Sequence, residues 1–160
     1  MNRYRYCYVD TCVISDMLKQ YNALHPYNAF STSTYLKQHM LVEINRAVET
    51  KGEEGMIITS AFTFVELINK FFDIFNDSKV QVHSIRNFLK QPPSWITIED
   101  INTATSLCLT DIPQKTPSGA PISGDDAIHI ATAISRGETI SFCTTDSKLK
   151  QLNLPNILFI

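Results

Sequence analysis

Apolar residues follow two rhythms along this chain. Short runs rich in aromatic, β-branched and aliphatic residues occur at 4–9 (YRYCYV), 55–60 (GMIITS), 94–99 (SWITIE), 138–144 (ETISFCT) and 157–160 (ILFI). Each is bounded by turn residues or charges, as strands are. Between them, apolar residues return at helical spacing: 13–20, 34–50, 61–75, roughly 79–90 (closed by Pro92 and Pro93), 101–109, 125–136 and 146–152. Asp10 or Thr11 is placed to cap the first of these helices. Residues 21–33 read as a connection, and 111–124 (DIPQKTPSGAPISG) as a long loop with three prolines, Pro113, Pro117 and Pro121. Loops of that length in a compact domain are commonly functional or mobile, and mobility is the expectation here. Strands alternating with helices predict an α/β fold with a mostly parallel central sheet flanked by helices, built as one domain over 1–160.

Composition narrows the class without naming a function. With 44% hydrophobic and 19% charged residues, and no charge blocks, the chain belongs with folded globular proteins. No run approaches a membrane span and the start lacks the apolar stretch of a signal peptide, so the cytoplasm is the expected location and no membrane is involved. A net charge of −2 gives no support to non-specific nucleic-acid binding, and any such binding must be local. Cys7, Cys12, Cys108 and Cys143 form no CxxC and lie in or beside apolar patterns, which reads as thiols in the core.

The chain has no GxGxxG after a strand, no GxxxxGK[ST], no GxSxG and no HExxH. Acids at element ends remain. Asp10 follows the first strand and Asp146 a late one, so a parallel sheet brings both to its carboxyl edge, where sites form in such folds. Asp125 and Asp126 open a helix, where the helix dipole favours carboxylates in any case. In that helix Ala127, Ile130, Ala131 and Ile134 form the core stripe. Asp125, His129, Thr132 and Arg136 fall opposite it, and Asp126 lies at its margin. Asp126 is therefore the better candidate for the edge, with Asp125 as N-cap, supporting acid or solvated neighbour. His129 is expected to face solvent or substrate, because a lone histidine without an HxxxH or HxH companion is a weak metal signal. By periodicity alone Glu66 falls on the far side of its helix with Asp73 and reads as solvated.

YVDT at the end of the first strand, TSAFTFVEL at the second strand-to-helix junction, DDAIHIATA opening a late helix, and TTD after the next strand resemble the four acidic blocks of the PIN-domain ribonucleases. That family includes the VapC toxins of toxin–antitoxin pairs. The likeness runs from Tyr8 to about Leu152. It implies a metal site formed by Asp10, Glu66, Asp126 and Asp146, with Asp126 preferred to Asp125 by its offset from Ala131-Thr132-Ala133. Thr11 and Thr145 match small hydroxyl positions that hold the acids.

The resemblance also implies Mg²⁺ or Mn²⁺, which suit oxygen ligands. It implies RNA as substrate, cut endonucleolytically to leave 5′-phosphate and 3′-hydroxyl ends, and a cognate antitoxin as partner. A homodimer is compatible with it and with the apolar helix at 34–50. Arg136, Lys148 and Lys150, with Lys37, Arg46 and Lys115 further off, are candidate cations for RNA, each with a plain reading as a solubilising surface residue. The segment 19–33 and the loop 111–124 depart from the family by their length. Two other readings stay open: a nuclease acting on DNA or in RNA processing, which the same acids serve, and a non-catalytic PIN-fold binding module.

Overall fold

The computed structural model describes residues 6–16, 56–74 and 96–160, with Gln38, Arg86 and 89–92 besides. The expected helices at 34–50 and 79–90, the segment 19–33, Lys37 and Arg46 lie outside the described residues or almost wholly so.

Strand β1 (Tyr6–Val9) is the centre of the molecule. Its neighbours are β2 (Met56–Ser60) on one side and β4 (Ile140–Cys143) on the other; β3 (Ile96–Glu99) and β5 (Ile157–Phe159) form the edges. Every pairing is parallel, giving the order β3-β2-β1-β4-β5. A strand buried on both faces cannot alternate polar with apolar residues, which is why YCYV and ISFC read as unbroken apolar runs.

Side-chain alternation along the strands splits the core into two layers. Cys7, Val9, Ile57 and Cys143 point to one face, where they pack with Val13 and Ile14 of the helical residues 11–16, and with Phe64 and Leu67 of helix α1 (Ala61–Ile74). Tyr8, Ile58, Ile140 and Phe142 point to the other, against Ile130 and Ala133 of helix α3 (Gly124–Ser135). Helix α2 (Thr103–Leu109) packs along α3. It starts two residues later than the periodicity suggests because Asn102 caps it, its side chain accepting from the N–H groups of Ala104 and Thr105. The expected helix at 146–152 is a single 3₁₀ turn, Leu149–Gln151. The Asp146 carboxylate takes the Lys148 N–H at 2.8 Å and closes a local turn in place of a helical start.

The loop at 111–124 carries local structure of its own. Thr116 is buried, its N–H donates to Ala120 O at 2.8 Å and its hydroxyl accepts from Ala120 N, while Ile122 N donates to Gln114 O at 3.0 Å. Gly119, at φ 85°, makes the reversal. The prolines bound a small closed hairpin whose backbone groups are largely satisfied within it. Cys7 and Cys143 are buried in the first layer, and Cys12 and Cys108 are half-buried. No helix among the described residues is long and apolar enough to cross a membrane.

Candidate active site at the carboxyl edge of the sheet

β1 ends at Val9, paired with Cys143 of β4, so Asp10 emerges directly beside Thr144. Asp10 is 4% exposed and serves as the cap of the helical residues 11–16, its Oδ1 accepting from Val13 N at 3.0 Å. Burial raises its pKa. Hydrogen bonds from the Thr144 hydroxyl and Val13 N–H and the nearness of His129 oppose the rise, and the charge of Asp126 adds to it. Asp126 is half-buried in the first turn of α3, where Ser123 caps the helix: its hydroxyl accepts from Asp126 N at 3.1 Å and donates to Asp126 Oδ2 at 2.7 Å. Asp125 is exposed and does not cap; Ser123 does.

Asp146 is half-buried just beyond β4, its N–H donating to the Thr144 hydroxyl at 3.0 Å. Thr144, 2% exposed, thus joins the segments carrying Asp10 and Asp146. The family resemblance points to Thr145 for such a role, but Thr145 is exposed and it is the Thr144 hydroxyl that makes these bonds. The pattern TTD could not say which hydroxyl turns inward; the alternation of β4, with Phe142 in one layer and Cys143 in the other, settles it only once the strand's register is known.

Glu66 stands on α1 with its side chain 15% exposed, contrary to the solvated position that periodicity gave it. The Thr11 hydroxyl donates to Oε2, and His129 Nε2 lies 2.6 Å from the same oxygen. Thr11 is itself buried and its hydroxyl is 3.0 Å from His129 Nε2. His129 is 3% exposed, so of the two positions the wheel allows it, solvent or substrate, it does not face bulk solvent. Its Nδ1 is 2.7 Å from the Tyr8 hydroxyl, and its ring centroid lies 5.6 Å from that of Phe62. Tyr8, wholly buried and stacked on Phe142 at 5.0 Å, has its phenol pKa driven far above the ordinary value, mainly by burial. Tyr8, His129 and Thr144 are the residues that sequence reasoning missed or misplaced.

Arg136 does not belong to this edge. It is the C-cap of α3, ten residues and roughly 15 Å of helix from Asp126. There its guanidinium pairs with Glu99, lies 3.7 Å from Glu138 and covers the Tyr6 ring at 4.8 Å. Lys148 and Lys150 are exposed beside Asp146, and Lys115 is exposed in the loop.

Asp10 and Asp126 are thus neighbours, Glu66 is tied to Thr11 and His129, and Asp146 folds back on its own turn. Among the described residues no three carboxyl, thiol or imidazole groups gather closely enough to enclose a metal ion. The donors are all oxygens, and a desolvated Asp10 facing a second acid is relieved by a cation.

A five-stranded parallel sheet with helices on both faces makes an α/β fold like that of VapC PIN-domain structures. Solved structures agree. Over 97% of both chains, this chain matches a chain of VapBC2 from Rickettsia felis, crystallised bound to a DNA fragment from the promoter, at TM-score 0.56 and 17% identity. It matches VapBC-1 from nontypeable Haemophilus influenzae at TM-score 0.56 and 15% identity, over 97% of this chain and 96% of that one. No family model and no curated protein matches the sequence.

Proposed function

We propose that this chain is a Mg²⁺- or Mn²⁺-dependent endoribonuclease and the toxin of a toxin–antitoxin pair, with Asp10, Glu66, Asp126 and Asp146 as its acidic site. The observation that carries the reading is Asp10, buried at the carboxyl edge with its pKa raised and Asp126 beside it. A carboxylate in that position is poorly accommodated by the protein alone and well accommodated with a divalent cation. The cation, when bound, supplies a more acidic water and neutralises charge on the phosphate oxygens.

The chain's own groups do the rest. Asp10 and Asp126 are the ligands the geometry favours most, Thr144 and Ser123 hold them, and Asp146 closes the edge from β4. Lys148 and Lys150 stand where they reduce repulsion between an acidic site and the RNA backbone. The VapBC context of the structural neighbours supports a cognate antitoxin as the partner.

The test is cleavage of a mixed RNA pool after EDTA treatment. Mn²⁺ or Mg²⁺ restores it, and Asp126→Asn abolishes most of it whereas Asp125→Asn leaves it substantial. Activity undiminished in excess chelator sinks the mechanism. If Asp125→Asn is the inactive variant, the third acid has been misassigned.

A further inference from the structure

Glu66 and His129 come from opposite layers of the fold. Glu66 sits on α1, whose Phe64 and Leu67 fill the first core layer, and His129 on α3, whose Ile130 and Ala133 fill the second. They meet at 2.6 Å, both largely withdrawn from water. The order of donors follows from the surroundings. A carboxylate oxygen only accepts, so Nε2, 2.6 Å from Glu66 Oε2, is the donor of the ring, and Nδ1 is left to accept from the Tyr8 hydroxyl at 2.7 Å. Nε2 also lies 3.0 Å from the Thr11 oxygen. Tyr8 in turn is fixed by the strand it stands on and by its stack on Phe142, with interplanar angle 19°.

Resting on the nuclease reading above, we propose that His129, its Nδ1 engaged by Tyr8, is a positioning residue that holds the Glu66 carboxylate at the edge of the acidic site and thereby tunes divalent-cation binding. A glutamate has a long side chain with several rotamers, and freezing it costs conformational entropy. Two donors converging on one oxygen meet that cost before the cation arrives, as hydrogen-bonded partners of metal ligands do elsewhere. A histidine needed only for packing would have no reason to aim a ring proton at an acid of the site. Its neighbours on α3, Ile130 and Ala131, fill their places with hydrocarbon alone.

The experiment measures Mn²⁺ affinity by calorimetry, melting in EDTA, and kcat and KM on RNA. His129→Leu keeps the bulk but removes the donor, and weakens Mn²⁺ binding about tenfold or more. His129→Gln, whose amide reaches the Nε2 position, restores most of the affinity. Tyr8→Phe, which keeps the ring stack, gives a smaller loss in the same direction and carries the test should the leucine variant fail to fold. On a Glu66→Gln background, His129→Leu causes no additional loss, because it acts through Glu66. Unchanged affinity in both His129→Leu and Tyr8→Phe overturns the inference while leaving the nuclease reading intact, as does an equal loss on the Glu66→Gln background. A wild-type chain that neither binds Mn²⁺ nor cleaves RNA overturns the nuclease reading, and the inference with it.

Discussion

Asp10 has two roles that oppose each other. As the cap of residues 11–16 it accepts the Val13 N–H, which favours its charged form; as a buried acid beside Asp126 it resists being charged. The net pKa rise means that the folded state holds the Asp10 proton more tightly than the unfolded chain does, so ionised Asp10 is a liability above its folded pKa. Asp10→Asn keeps an oxygen for the cap and removes the charge. In EDTA at neutral pH it should melt a few degrees above wild type, and the gap should close as pH falls through the raised Asp10 pKa. In saturating Mn²⁺ the order should reverse, since only wild type gains from binding. Differential scanning calorimetry across pH, with and without metal, reads all three. At this scale the acids were legible because they sit at strand and helix ends. His129 was not, because a helical wheel treats the side opposite the apolar stripe as solvent, while α3 is covered by the sheet and also by α2. Thr132, on that same far side, is fully buried too, its hydroxyl turned to Ile128 O at 2.7 Å.

The start of α3 shows how one cap serves both stability and the site. The Ser123 hydroxyl satisfies Asp126 N and at the same time donates to the Asp126 carboxylate, so it fixes the acid as well as the helix end. Ser123→Ala should cost about 1 kcal/mol, the usual loss for a helix N-cap, lowering the melting temperature by about 2–4 °C at this chain length. It should also weaken Mn²⁺ binding, whereas Ser123→Thr should restore both; thermal melts and a metal titration decide. Helix geometry equally explains why Arg136 was misread. Within the sequence it is part of the same block as Asp126, but a straight helix carries it roughly 15 Å away, where it pairs with Glu99, the last residue of β3, and covers the Tyr6 ring. In the loop after α2, the backbone bonds that Thr116 makes with Ala120 are invisible to composition, which shows only length and three prolines.

For the whole molecule, alternating strand and helix patterns were enough to foresee the α/β class and a parallel sheet, since unbroken apolar runs such as YCYV and ISFC are what doubly covered strands require. Strand order was not legible, because short apolar strands carry nothing that distinguishes a central position from an edge. That order has a consequence for how the protein is made. β1, the central strand, leaves the ribosome well before its partner β4, which begins only at Ile140. Asp10 is likewise separated from Asp146 by nearly the entire described chain. At about 5–20 residues per second, the first strand must wait on the order of ten seconds for its second neighbour. During that interval YCYV is an unpaired edge, open to aggregation or chaperone capture. Ribosome-stalled chains ending before β4 should leave β1 sensitive to protease, and chains extended by a linker past residue 146 should protect it. The carboxyl edge would then be assembled in an order that brings Asp126 and Asp146 to Asp10 more than a hundred residues after Asp10 itself is made.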